Sequence, residues 1–121
     1  MNQLRNTLLL CAIVAGSLLV GCNSAPSRTL GAPFAAAAPI AVQALATHAK
    51  SSSVVVQGEM IEKCPVAGCW FVLKDRTGVV RVDTKAAGFV VSEVPLHARL
   101  TVAGTVTADS QPGIAATGVR Y

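Results

Sequence analysis

Aromatic side chains are few: from Val54 to the C-terminus there are Trp70, Phe71, Phe89 and Tyr121 and no others. A groove for single-stranded nucleic acid needs stacking platforms in series along a basic track. The track is missing too. Over the same stretch seven Lys and Arg residues meet six Asp and Glu residues, so the whole-chain charge of +4 falls to +1 and leaves no footprint for a phosphate backbone. Nucleic acid is therefore not expected as a partner. The chain also lacks a serine grouped with a histidine and an acid, a recognisable carboxylate pair and a glycine-rich phosphate loop. Gly88 and Gly104 stand alone and read as turn or packing glycines. An enzyme is not expected.

What is present begins with a segment that reads as targeting. Arg5 is followed by the apolar run Leu8 to Val20, too short to span a bilayer comfortably, and by Leu19-Val20-Gly21-Cys22. This closely resembles a bacterial lipoprotein signal. The resemblance implies removal of residues 1–21 and acylation of the new N-terminal Cys22. An ordinary secretory signal or a short membrane anchor are the alternatives. Asn23 stands where an Asp would, by analogy with enteric bacteria, favour inner-membrane retention, so the expected location is the outer membrane, facing the periplasm. Several acyl chains hold such a protein firmly, each buried CH₂ contributing about 0.8 kcal/mol. The membrane, through the lipid on Cys22, is the first expected partner.

Residues 22–52 are rich in Ala, Pro and Ser, without alternation or a capped amphipathic pattern, and are expected to be a flexible tether. Residues 53–121 change character. Val54 to Lys63, Trp70 to Lys74, Val79 to Asp83, Leu100 to Val106 and Ile114 to Tyr121 are β-forming runs, separated by turn signals at Asp75–Gly78 and Asp109–Gly113. The fold class expected is all-β. Five strands with a longer connection between the third and fourth, Thr84 to Ala98, match a small five-stranded OB-like Greek-key barrel. Phe89 is the candidate apolar plug for one end of it. An SH3-like barrel or an open meander fits the same strand count.

Gly58, Cys64, Cys69-Trp70, Lys74-Asp75, Gly88-Phe89-Val90 and Val102-Ala103-Gly104 together resemble small bacterial OB-fold proteins of unknown function that carry a Cys-x4-Cys-Trp hairpin. The resemblance spans nearly the whole domain. It implies the fold and little about activity.

Cys64 and Cys69 are the two thiols left after the signal and the lipidated cysteine are set aside, in a compartment that is oxidising. Three readings remain open. The expected one is a disulfide staple across the hairpin, which needs Cα atoms about 4.4–6.8 Å apart and no cofactor. A metal site would need a third ligand, His97 or Met60, and would suit copper(I) or zinc. A redox pair departs from the Cys-x-x-Cys spacing at a helix start. The expected function is non-catalytic binding of another envelope protein or a small ligand. On the barrel face the candidate ligand-binding residues are Trp70, Phe71, Lys74 and Arg81, a set that would equally serve an oligosaccharide or an oligonucleotide.

Overall fold

The computed structural model describes residues 27–108 and 111–121. Residues 1–21, Cys22, Asn23 and Asp109 lie outside that range. Among the described residues no helix is long and apolar enough to cross a membrane.

The chain forms β1 (Thr29–Gly31), a 3-10 helix (Val42–Thr47), β2 (Ser53–Lys63), β3 (Trp70–Lys74), β4 (Val79–Asp83), β5 (Arg99–Ala108) and β6 (Pro112–Arg120). Period-2 alternation drives the strands. In β3, Phe71 and Leu73 are buried while Trp70, Val72 and Lys74 are not, and in β4 Val80 and Val82 are buried between Val79, Arg81 and Asp83. Five strands close into a barrel in the order β2-β3-β4-β6-β5 and back to β2. All neighbours are antiparallel except β4 and β6, which run parallel. This is the OB-like Greek-key arrangement.

Closure depends on β2 serving two partners. It pairs with β5 from Ser53 to Glu59 and with β3 from Glu59 to Lys63. Gly58 sits at the changeover, where a Cβ would strike the Lys74 carbonyl. The strands approach there more closely than a side chain allows.

Inside the barrel Val54, Val56, Met60, Phe71, Leu73, Leu100, Val102 and Ile114 form one apolar core. Its two ends are closed by different segments. Val91 and Val94, in the connection from β4 to β5, are fully buried at one end. Phe89, the expected plug, is only half-buried and packs beside Gly31. Its ring packs against the same core from the edge.

The other end corrects the expected tether. Val42 and Leu45 are buried in the core, Leu45 to 2 % exposure. Burying two such side chains contributes about 1.5–3 kcal/mol each, which offsets the entropy of ordering a short segment. Backbone bonds fix the rest: Ile40 N–H to the Val55 carbonyl at 2.8 Å, Ala32 N–H to the Thr117 carbonyl at 2.9 Å, and a reciprocal pair between Arg28 and Tyr121. β1 adds a short sixth strand to β6. From Arg28 onward the segment is a strap that belongs to the barrel.

The strap is tied down by one carboxylate. Asp75 in the β3–β4 turn accepts from the Val42 N–H at 2.8 Å, the Thr77 hydroxyl at 2.6 Å, and the N–H groups of Thr77 and Gly78. The Gln43 N–H adds a bond to the Thr77 hydroxyl. The first turn of the 3-10 helix is thus capped by a side chain more than thirty residues away in sequence. Burial opposes ionisation of Asp75, but the bonds from Thr77, Val42 and Gly78 outweigh it and hold its pKa below the ordinary carboxylate value.

Candidate functional site

The outer face of β3 and β4 is one of two places where the sequence concentrates chemistry. Trp70 pairs with Asp83, Val72 with Arg81 and Lys74 with Val79, so these six side chains share one surface. Arg81 reaches diagonally across the pair, its guanidinium carbon 4.7 Å from the centre of the Trp70 ring. Among the described residues no carboxylate lies within salt-bridge distance of Arg81 or Lys74. A cation stacked on a ring and not neutralised by an acid remains available to an anion.

Beside that platform lies a half-open groove of about 590 Å³, lined by Val72, Val79, Arg81, Asp83, Ala86 and Pro112. It has the size of a small-ligand site. A second cleft of about 570 Å³ lies between the strap, β2 and the β3–β4 turn. Part of its polar lining is engaged, since Asp75 holds the strap, Arg99 donates to Gln57 at 3.1 Å and Glu59 meets His97, while Lys74 and Arg76 line it as well. The groove at Arg81 is the candidate ligand site because its cation is held in place on the Trp70 ring.

Phe71 does not belong to this face. It is fully buried, because successive residues of a strand point to opposite sides and Trp70 is outside. Trp70, Lys74 and Arg81 lie on one face, with Arg81 in contact with Trp70. Val72 and Asp83 complete the surface, and their positions two residues from Trp70 and from Arg81 carried that signal.

The second place is the hairpin from Cys64 to Cys69. Its ends are fixed by the sheet: the Cys64 N–H donates to the Trp70 carbonyl at 3.0 Å, and the Cys69 carbonyl accepts from the Thr84 N–H at 2.8 Å. Its last turn is fixed by the β4–β5 connection, where the Val91 N–H donates to the Gly68 carbonyl at 2.8 Å. Gly68 takes a left-handed φ of 62°, and a Cβ there would lie 2.8 Å from the Ser92 nitrogen. Only glycine fits both demands. Lys63 clamps the same connection, donating to the carbonyls of Ser92 and Val94 at 3.0 and 2.6 Å.

Cys64 and Cys69 are both free, partly exposed thiols in this structure, where a disulfide staple was expected. The turn bends its N–H groups toward the Cys64 sulfur. Bonds from the backbone of Ala67 and Val66, with smaller help from Gly68 and the Cys69 thiol, outweigh burial and lower the Cys64 pKa to about 7. Roughly half of it is thiolate at neutral pH. The N–H cradle was not visible in the spacing of the cysteines, although the glycine before Cys69 was its one sequence signal.

The metal set of Cys64, Cys69 and His97 is not assembled. The His97 N–H pairs with the Met60 carbonyl at 2.7 Å, and Cys64 lies four residues further on, just past the end of β2, about 13 Å at strand rise. The His97 ring instead meets Glu59, Nδ1 to Oε1 at 2.6 Å. Met60, the other candidate, is buried in the core. Among the described residues no three His, Cys, Asp or Glu side chains converge on a point.

Neither a protein-family model nor a curated relative matches the chain. A solved structure does, described as the hypothetical protein ygiW from E. coli. The two align with a TM-score of 0.56 and 17 % identity over 69 % of this chain and 88 % of that one. The likeness is one of fold. It agrees with the barrel topology, and it leaves the site to be read from its own residues.

Proposed function

We propose that this protein is an envelope lipoprotein, anchored by acyl chains on Cys22, whose barrel is a non-catalytic binding module for a small anionic ligand on the β3–β4 face. The single observation that carries the ligand class is Arg81 stacked on Trp70 above a groove of about 590 Å³, with Lys74 on the same surface. A carboxylate-bearing ligand would take the guanidinium's outward N–H groups, and Val72 and Val79 would hold its apolar part. Stacking fixes the guanidinium plane in advance, so less rotamer entropy is lost on binding.

Trp70 is the chain's one tryptophan, so its fluorescence reports this site alone. Titration with a hexaglutamate peptide at low salt is expected to change the emission saturably, and Arg81→Ala to weaken the response about tenfold, a loss of about 1.4 kcal/mol. No saturable change, or a response untouched by Arg81→Ala, would refute the ligand class. The anchor is tested separately: Cys22→Ser is expected to abolish incorporation of labelled palmitate and release the protein from the membrane fraction.

A further inference from the structure

We propose that the Cys64–Cys69 hairpin is a thiol–disulfide exchange site, with Cys64 as the attacking sulfur and Cys69 as the resolving one, acting on an accessible disulfide of another molecule. Three observations support the assignment. The two thiols interact directly at the mouth of one hairpin, and both are partly exposed. Both ends of the loop are held by backbone bonds, the Cys64 N–H to the Trp70 carbonyl and the Thr84 N–H to the Cys69 carbonyl, whereas Pro65, Val66 and Ala67 between them are exposed. The N–H groups of Ala67, Val66 and Gly68 stabilise negative charge on the Cys64 sulfur, and a thiolate near half occupancy at ambient pH is the best compromise between abundance and nucleophilicity.

The surroundings suit a polypeptide as the disulfide carrier. Among the described residues the exposed large apolar side chains include Val66 on the hairpin, 92 % exposed, and Val90 on the connection that bonds to Gly68, with Leu96 further along that connection. Such a rim fits the apolar flanks of a cystine in an incompletely folded chain.

The step balances without any further reagent. The Cys64 thiolate attacks one sulfur of the partner disulfide, whose S–S bond breaks; the departing thiolate takes a proton from water, and Cys64 is left in a mixed disulfide. Cys69 then loses its proton and attacks the Cys64 sulfur, expelling the second partner thiolate. Two electrons pass from the hairpin to the partner. The hairpin ends as a disulfide and the partner as two thiols, and the same steps in reverse oxidise a partner dithiol.

The experiment uses the reduced full chain at pH 7, with two probes in separate arms: oxidised glutathione, and a synthetic peptide closed by one disulfide flanked by leucines. Mapped mass spectrometry is expected to find a Cys64–Cys69 bridge in the unmutated protein and a mixed disulfide trapped at Cys64 in Cys69→Ser. Cys64→Ser is expected to react about tenfold more slowly. Faster reaction with the peptide would assign the carrier as a polypeptide; faster reaction with glutathione would keep the exchange and assign a small disulfide. Equal rates for the two serine variants, or two unbridged thiols in the unmutated chain, would overturn the proposal. Should a serine variant fail to fold, iodoacetamide labelling of the unmutated chain decides the matter. Cys64 must label before Cys69, and the opposite or an equal order rules the roles out.

Discussion

The strap and the cysteine hairpin exchange the characters their compositions suggest. The strap is poor in pattern and rich in alanine and proline, yet Val42 and Leu45 close one end of the barrel. The hairpin carries two cysteines at a spacing fit for a staple, yet both are free thiols and three of its residues stand in solvent. The difference lies in what each segment meets. An open barrel end offers an apolar site that a few spaced aliphatic residues can fill, and two turns of 3-10 helix are enough to present them. The hairpin tip meets water, and its order comes from backbone bonds at its base rather than from burial.

Substitutions on the two sides should therefore behave differently. Leu45→Ala is expected to have the largest effect, about 2–5 kcal/mol of lost stability through a cavity at the barrel mouth. If chemical denaturation finds less than about 0.5 kcal/mol, the strap is a tether after all. Asp75→Ala comes next. It removes the acceptor for four hydrogen bonds and should cost about 1–3 kcal/mol, chiefly by freeing the strap. Because the folded pKa of Asp75 is depressed, its contribution is fully present above the unfolded value of about 3.9 and is lost as pH falls below that toward the folded value. Melting curves of wild type and Asp75→Asn should accordingly converge in acid and separate near neutrality.

Thr84→Val tests the base of the hairpin. The Thr84 hydroxyl is buried and finds no partner among the described residues, which costs on the order of 1–3 kcal/mol. A valine of the same shape should leave stability unchanged or raise it. A clear loss would mean that the hydroxyl has a partner in solution. Smallest of all, Val66→Ser at the hairpin tip should change stability by no more than about 0.5 kcal/mol. A larger loss would show that the tip is packed, and the contrast with the strap would fail.

Much of the barrel was legible in the chain. Runs such as Trp70–Lys74 and Val79–Asp83 state their strands because alternation has a period of two, and Asp75-Arg76-Thr77-Gly78 states the turn between them. The same alternation puts Trp70, Lys74 and Arg81 on one surface and sends either Trp70 or Phe71 inward. Which of the two goes inside is a matter of barrel closure. The ends of the barrel were harder to read. Phe89 was the more apolar candidate for a plug, but the mouth accepts Val91 and Val94, and only the shape of the closed sheet could choose between them.

By itself, then, the sequence determined the strands, their faces and the hairpin that carries two thiols, because each follows from local periodicity and turn chemistry. The tertiary structure alone decided that the strap is part of the domain, that His97 turns to Glu59 rather than to the cysteines, and that backbone N–H groups gather around the Cys64 sulfur. Those outcomes depend on which distant groups closure brings within a few ångströms of one another, and no spacing along the chain encodes such a distance.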